Sequence, residues 1–379
     1  MVISEKDLSE IKNRDFLLNV NHYNDYCNKK SNLIYGTPNL KKCFLTIVIP
    51  IYDHPFELIF RAINSVLFQK CNYEIHIIII DDYVKDNRNV EILEYLKNIN
   101  DDRICYYKNE ENLGVFANWN RGIELSNSEW ITILHSDDFF KNNFLNNMKN
   151  IIDNHPEIDQ LCCNYKLLKV KDKNINFNNE YVGIEENTIV RKVKYTEYFY
   201  EMKTSVKGSL YKKEKLLKIG GFRSQGDGIG LDDYPLMLRY AYYFNTYLIE
   251  SNLYCDSWGY NDSLNIKHWF PDLVENYYLW KYFALKMKGI KKFIYLKNAI
   301  YLLKKRAEEY DNGTSWVGIR VPIDMKLVQC YCDVNFSKCN KFEGAIVSFL
   351  ARCFNYTAKH PLNKFNYKLS SGISNNYLE

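Results

Sequence analysis

Between Phe44 and Leu134 the chain alternates short, wholly apolar runs with longer segments whose apolar residues recur at helical spacing. Phe44 to Ile49 is a continuous β-branched run closed by Pro50, as expected of a strand buried on both faces. Pro55 to Gln69 then places Leu58, Ile59, Ala62, Ile63, Val66 and Leu67 on one helical face. A second apolar run, Glu74 to Ile80, is interrupted only by His76 and ends in Asp81-Asp82. Residues 89–98 read as helix, Arg103 to Tyr107 as a third strand and 115–126 as helix. The fourth strand is Trp130 to Leu134, which ends at His135-Ser136-Asp137-Asp138.

Strand and helix at this cadence predict βαβ units and a parallel sheet with right-handed crossovers. Ligands of such sheets gather beyond the carboxyl ends of the strands. Tyr52, Asp53, Asp82, Asp137 and Asp138 all fall just past predicted strand ends. Residues 1–43 read as a polar, partly helical extension, and the pattern loosens beyond residue 190. There Gly226 to Gly230 runs into Leu231-Asp232-Asp233-Tyr234 at the start of a helix. Residues 272–310 read as mostly helical, and the remainder mixes helix and loop.

Composition changes this picture little. With 46% hydrophobic and 25% charged residues, the 379-residue chain is an ordinary globular protein with room for more than one packed unit. A net charge of +4 is too balanced to imply nucleic-acid binding. The N-terminus has no apolar secretory core, and no run approaches the length of a membrane helix. The expectation is a cytoplasmic protein, at most peripheral to the inner face of a membrane. Eleven cysteines at irregular spacing, Cys330, Cys332, Cys339 and Cys353 among them, form no paired knuckles, so free thiols in a reducing compartment account for them better than zinc.

Two adjacent carboxylates after an apolar strand are costly unless solvated or paired with a cation. For Asp137-Asp138 a divalent metal and a polar helix-capping turn both remain open. Asp81-Asp82 has the same two readings, with a nucleoside contact in place of the metal. A carboxylate at a helix N-terminus is stabilised as the anion, so Asp232 or Asp233 there suits a base, and plain capping is the alternative.

Five blocks together resemble the family 2 glycosyltransferases: Thr46 to Asp53, Asp81-Asp82, Asn112-Leu113-Gly114-Val115 with Asn118 to Gly122, Ser136-Asp137-Asp138, and Asp232-Asp233-Tyr234. Their order and spacing agree across roughly residues 44–240. The resemblance implies a GT-A, Rossmann-like, mostly parallel sheet flanked by helices. It divides the chain into the extension 1–43, a catalytic domain 44–262 and a mainly helical region 263–379. The nucleotide-binding half would be about 44–140 and the acceptor half about 141–262. It also implies an inverting transfer from a nucleotide-sugar, with UDP expected because it is common in the family, onto a glycan or lipid-linked glycan of the surface-polysaccharide kind. Pro50, Tyr52, Asp53, Asp82 and Asn112 would belong to the donor site, with Asp137 near the donor sugar or ribose. Asp138, beside Asp137, would hold Mn2+ or Mg2+. Asp233 would be the base, with Asp232 next to it.

The chain departs from the family pattern at several points. His135 stands where many members carry the first Asp of the metal block. Trp119 replaces an Arg, and Arg121 follows two residues later, so its phosphate contact is open. His268 is a candidate ligand, and Trp258 and Trp269 are candidate sugar platforms. The basic, apolar stretch Lys286 to Arg306 suits either an anionic membrane or a solvated helix face. A nucleotidyltransferase, or a binding module without turnover, would be the competing functions.

Overall fold

The protein is described by a computed structural model over residues 3–17, 29–38, 41–83, 88–169, 187–199, 204–223, 233–258, 268–315, 318–356 and 364–368. Its strands are β1 (Ser31–Tyr35), β2 (Cys43–Ile51), β3 (Ile75–Asp81), β4 (Ile104–Asn109) and β5 (Ser128–Ile133). They continue with β6 (Phe139–Phe140), β7 (Gln160–Lys169), β8 (Asn187–Val193), β9 (Ser209–Lys212), β10 (Thr246–Trp258) and β11 (Lys364–Lys368). One sheet holds them in the order β1-β4-β3-β2-β5-β9-β7-β10-β8-β11, with β6 paired to β10.

The helices are α1 (Glu5–Asn13), α2 (Phe56–Leu67), α3 (Arg88–Ile99), α4 (Val115–Leu125), α5 (Phe144–Asn154) and α6 (Lys213–Lys218). They are followed by α7 (Asp233–Tyr243), α8 (Trp269–Lys286), α9 (Gly289–Asn312), α10 (Met325–Cys332) and α11 (Lys341–Tyr356).

β2, β3, β4 and β5 run parallel, as their apolar runs predict, and β7 runs parallel to β10. The chain moves outward from β2 through β3 to β4, then returns to pair β5 on the other side of β2. That reversal leaves a crevice between the carboxyl ends of β2 and β5, where doubly wound sheets take their ligands.

Side chains along the central strands divide between the two faces of the sheet. Val48, Ile78 and Ile80 join a core with α4, α7 and the C-terminal helices. Ile47, Ile49, Ile77 and Ile79 join a second core with α2, α3 and α5. The helices beyond residue 268 therefore share a core with the sheet. Gly122 of α4 packs directly on β2 and β3, since a Cβ there would lie 2.4 Å from Val48 Cγ1.

The structure departs from the sequence reading at two edges. Within the extension 1–43, Ser31–Tyr35 is a strand antiparallel to β4, and within the helical region 263–379, Lys364–Lys368 is a strand on β8. Both are five-residue edge strands with polar residues, too short for a period-two pattern to stand out.

Candidate active site

Because β2 to β5, β7 and β10 point the same way, their carboxyl ends share one sheet edge with the start of the opposed β9. Residues distant in sequence meet there. β5 ends at Ile133, and the following turn carries His135 to Asp138 before β6 pairs with Tyr254 and Cys255 of β10. That pairing brings Asp138 against the end of β10. The Ser257 amide donates to Asp138 Oδ1 at 2.7 Å, and the Tyr254 hydroxyl donates to Oδ2 at 2.9 Å.

Lys207, just before β9, lies 3.7 Å from Asp138 Oδ2 and 2.5 Å from Asp256 Oδ1. The buried Arg61 of α2 donates from below to the Asp137 carbonyl, and to Ser257 Oγ at 2.5 Å. His54 Nδ1 and Ser136 Oγ, 2.7 Å apart, join the two walls of the crevice.

Three carboxylates (Asp137, Asp138 and Asp256), all buried, thus face one ammonium. Burial pushes the Asp137 carboxyl up to about 7, and neighbouring Asp138 adds to the effect while Lys207 opposes it. Burial alone would lower Lys207, but the charges of Asp138 and Asp256 outweigh it and keep the ammonium protonated. Burial, helped by Lys207, drives His135 down to about 3, so its imidazole is neutral and keeps a lone pair.

His135, Asp137 and Asp138 offer ligand atoms that all lie within 4.8 Å of one another. His135 Nε2 is buried without a hydrogen-bond partner. A neutral imidazole, two carboxylates and an excess of negative charge fit a divalent cation. The bonds from Tyr254 and Ser257 orient Asp138 as supporting contacts orient metal ligands.

Asp233 opens α7 and accepts the Tyr234 amide at 2.8 Å. Its charge reaches the same edge. Burial raises the Tyr165 phenol of β7, and Asp256, Asp233 and Asp138 all raise it further, with Lys207 opposing. Asp232 and Gly226 to Gly230 lie outside the described residues.

The remaining expected residues divide by position. Pro50 is buried at the end of β2, and Tyr52, 53% exposed, and Asp53 follow it on the surface. Asp82 instead holds the next loop together. Its Oδ1 accepts Asn109 Nδ2 at 3.0 Å and the Leu113 amide at 2.7 Å, and its Oδ2 accepts the Gly114 amide at 2.9 Å. Asn112 Oδ1 accepts the same Gly114 amide at 3.0 Å.

Arg121 pairs with Glu124 at 2.6 Å and donates to Ser31 Oγ at 2.9 Å, tying α4 to β1 away from the acidic group. His268 precedes α8 and is not one of the three clustered donors. Trp269 is buried against Tyr310 and so provides no open platform, because its helix packs into the core.

His135, Lys207, Asp256, Tyr254, Ser257 and Arg61 complete the site beyond the residues expected from sequence. His135 had a signal, its place two residues before Asp137. Lys207, Tyr254, Asp256 and Ser257 meet through strand pairings that no local pattern encodes, and Arg61 reaches them from α2.

Residues 46–216 match the family model for glycosyl transferase family 2. Over this segment the chain is similar to that family. The chain is 39% identical over 98 residues to an uncharacterized glycosyltransferase of Mycoplasma genitalium, covering 25% of this chain and 33% of that protein. An uncharacterized glycosyltransferase of Methanocaldococcus jannaschii is 28% identical over 181 residues, 47% of this chain and 59% of that protein. The chain therefore spans between a third and three fifths of the length of these relatives. Among solved structures, S. aureus TarS 1-349 in complex with UDP-GlcNAc is similar at 14% identity and TM-score 0.52, over 72% of this chain and 76% of that one. The fold is the GT-A type, a mixed sheet whose core strands are mostly parallel, flanked by helices.

Proposed function

We propose that the chain transfers a sugar from a nucleotide-sugar donor, a UDP-sugar by preference, to an acceptor hydroxyl with inversion at the anomeric carbon. The observation that carries this reading is the convergence of His135, Asp137 and Asp138 at the carboxyl ends of the strands, with Asp138 and Asp233 both acting on Tyr165. These three residues would hold Mn2+. Once bound, the cation would offset the charge developing on the departing nucleoside diphosphate.

Tyr52 and Asp53 would face the nucleoside at the crevice mouth, with Pro50 behind them. Asp82 would support the site indirectly by holding the 109–114 loop as its wall. Asp233 would accept the acceptor hydroxyl proton as that oxygen bonds to the anomeric carbon and the nucleoside diphosphate leaves. The helix N-terminus beside Asp233 favours its anionic form and so suits it to a base. The acceptor would be a glycan or lipid-linked glycan of a surface polysaccharide. TarS, bound to UDP-GlcNAc in its solved structure, supports the choice of donor class.

The test is turnover of UDP-sugars with Mn2+ in the wild type and in Asp233→Asn. We expect donor binding to survive the substitution and turnover to fall by about a hundredfold or more, the range for losing a general base. Near-normal turnover in Asp233→Asn would transfer the base role to another residue.

A further inference from the structure

α11 is built with most of its large apolar residues on the wrong side for a packed helix. The face it turns to the protein carries the small or modest residues Gly344, Val347, Ser348 and Ala351, all buried, and Phe354, partly buried against the core. Its opposite face presents Phe342 (74% exposed), Ile346, Phe349 (65% exposed) and Leu350 to solvent. These positions recur at helical spacing and form one stripe along the axis.

α9 runs beside α11. The Tyr295 hydroxyl donates to the Ala351 carbonyl at 3.2 Å, and Lys297 pairs with Glu343 at 2.7 Å. The start of α9 adds two more exposed apolar residues, Ile290 (64% exposed) and Phe293. Scattered surface hydrophobics need no explanation, but six large ones exposed on two adjoining helices are a density of the kind that marks an interaction site.

The charge around this patch identifies its occupant. Leu285 to Asn298 holds five lysines and no acidic residue. Lys338 to Tyr356 adds Lys338, Lys341 and Arg352 against Glu343, with Glu343 paired to Lys297 and Lys341 to Glu308 of α9. A second copy of this chain would bring the same positive charges face to face. An anionic bilayer instead supplies phosphates for the lysines and an apolar layer beneath them for the aromatic and aliphatic side chains.

We infer that α11 and the start of α9 form a docking surface for an anionic lipid membrane. The helix pair lies along the headgroup layer, with Phe342, Ile346, Phe349 and Leu350 below the phosphates. Among the described residues no helix is long and apolar enough to cross a membrane, so the attachment is peripheral and reversible. This inference does not depend on the transfer chemistry proposed above.

The experiment is co-sedimentation of the full chain with vesicles of equal parts phosphatidylglycerol and phosphatidylcholine, and with vesicles of phosphatidylcholine alone. The wild type is expected to pellet with the anionic vesicles, and more weakly at high salt or on the neutral ones. Phe342→Ser with Phe349→Ser should lower binding by about tenfold or more while unfolding like the wild type, because both side chains are exposed. Lys291→Glu with Lys292→Glu should lose the preference for anionic vesicles. Failure of the wild type to pellet would overturn the proposal, as would unchanged binding by the double Phe variant. So would a wild-type dimer that the Phe substitutions dissociate without any vesicle binding.

Discussion

Asp82→Ala tests whether this carboxylate anchors a loop or contacts the donor. In the structure it accepts three hydrogen bonds, from Asn109, Leu113 and Gly114. A hydrogen bond to a charged group contributes about 1.5–3 kcal/mol, so the gross loss is roughly 5–9 kcal/mol. Two effects offset it. Burial raises the Asp82 carboxyl, with the three donors opposing, so removing the charge recovers part of its desolvation penalty. Leu113 is half-buried and Gly114 exposed, so water reaches their freed amides, and Asn109 keeps its 2.8 Å bond to Asn118.

The net destabilisation should be about 3 kcal/mol. Asp82→Asn, which keeps one acceptor oxygen, should lose roughly half of that. Urea unfolding followed by circular dichroism measures both, and calorimetric titration with UDP measures donor binding in the same samples. A stability change under about 0.5 kcal/mol combined with complete loss of UDP binding would refute the anchor role.

Gly122→Ala would force a Cβ to within 2.4 Å of Val48 Cγ1 and 3.3 Å of Ile80 Cγ2, and should cost about 1–3 kcal/mol in urea unfolding. A neutral result would mean that α4 rides higher on the sheet. His76, buried in β3, is held below its ordinary value by desolvation. Its contribution is fully present above about 6.5, its ordinary value, and is lost as pH falls through the lower folded value. The urea midpoint of the wild type should therefore fall more steeply on the acid side than that of His76→Leu, and parallel curves would contradict this. Lys207→Met should leave Asp138 and Asp256 without their ammonium and destabilise the metal-free protein by about 3 kcal/mol. Added Mn2+ should then restore more stability to the variant than it adds to the wild type, and equal increments would remove Lys207 from the charge balance.

The central sheet was legible because strands buried on both faces leave unbroken runs such as Ile75 to Ile80, and because α2 and α4 keep a helical period. Edge strands β1 and β11 were not, since they are short and mixed in polarity. Asp137 and Asp138 could be found as charges that an apolar strand does not bury without reason. Lys207 and Asp256 could not, because each lies in or beside a strand whose place in the sheet follows from long-range pairing. Asp82 shows the complementary difficulty. Its position past a strand end was readable, but its three donors come from a loop about thirty residues later, and only the folded chain shows that they occupy it.

On the proposed reading, His135, Asp137 and Asp138 together would hold a divalent cation that the donor diphosphate needs. Calorimetric titration of UDP into the wild type and into Asp138→Asn, each with Mn2+ and with EDTA, tests it most directly. Wild-type affinity should fall by at least about tenfold in EDTA, and Asp138→Asn should bind weakly and equally in both conditions. Equal UDP affinity in all four titrations would contradict the account.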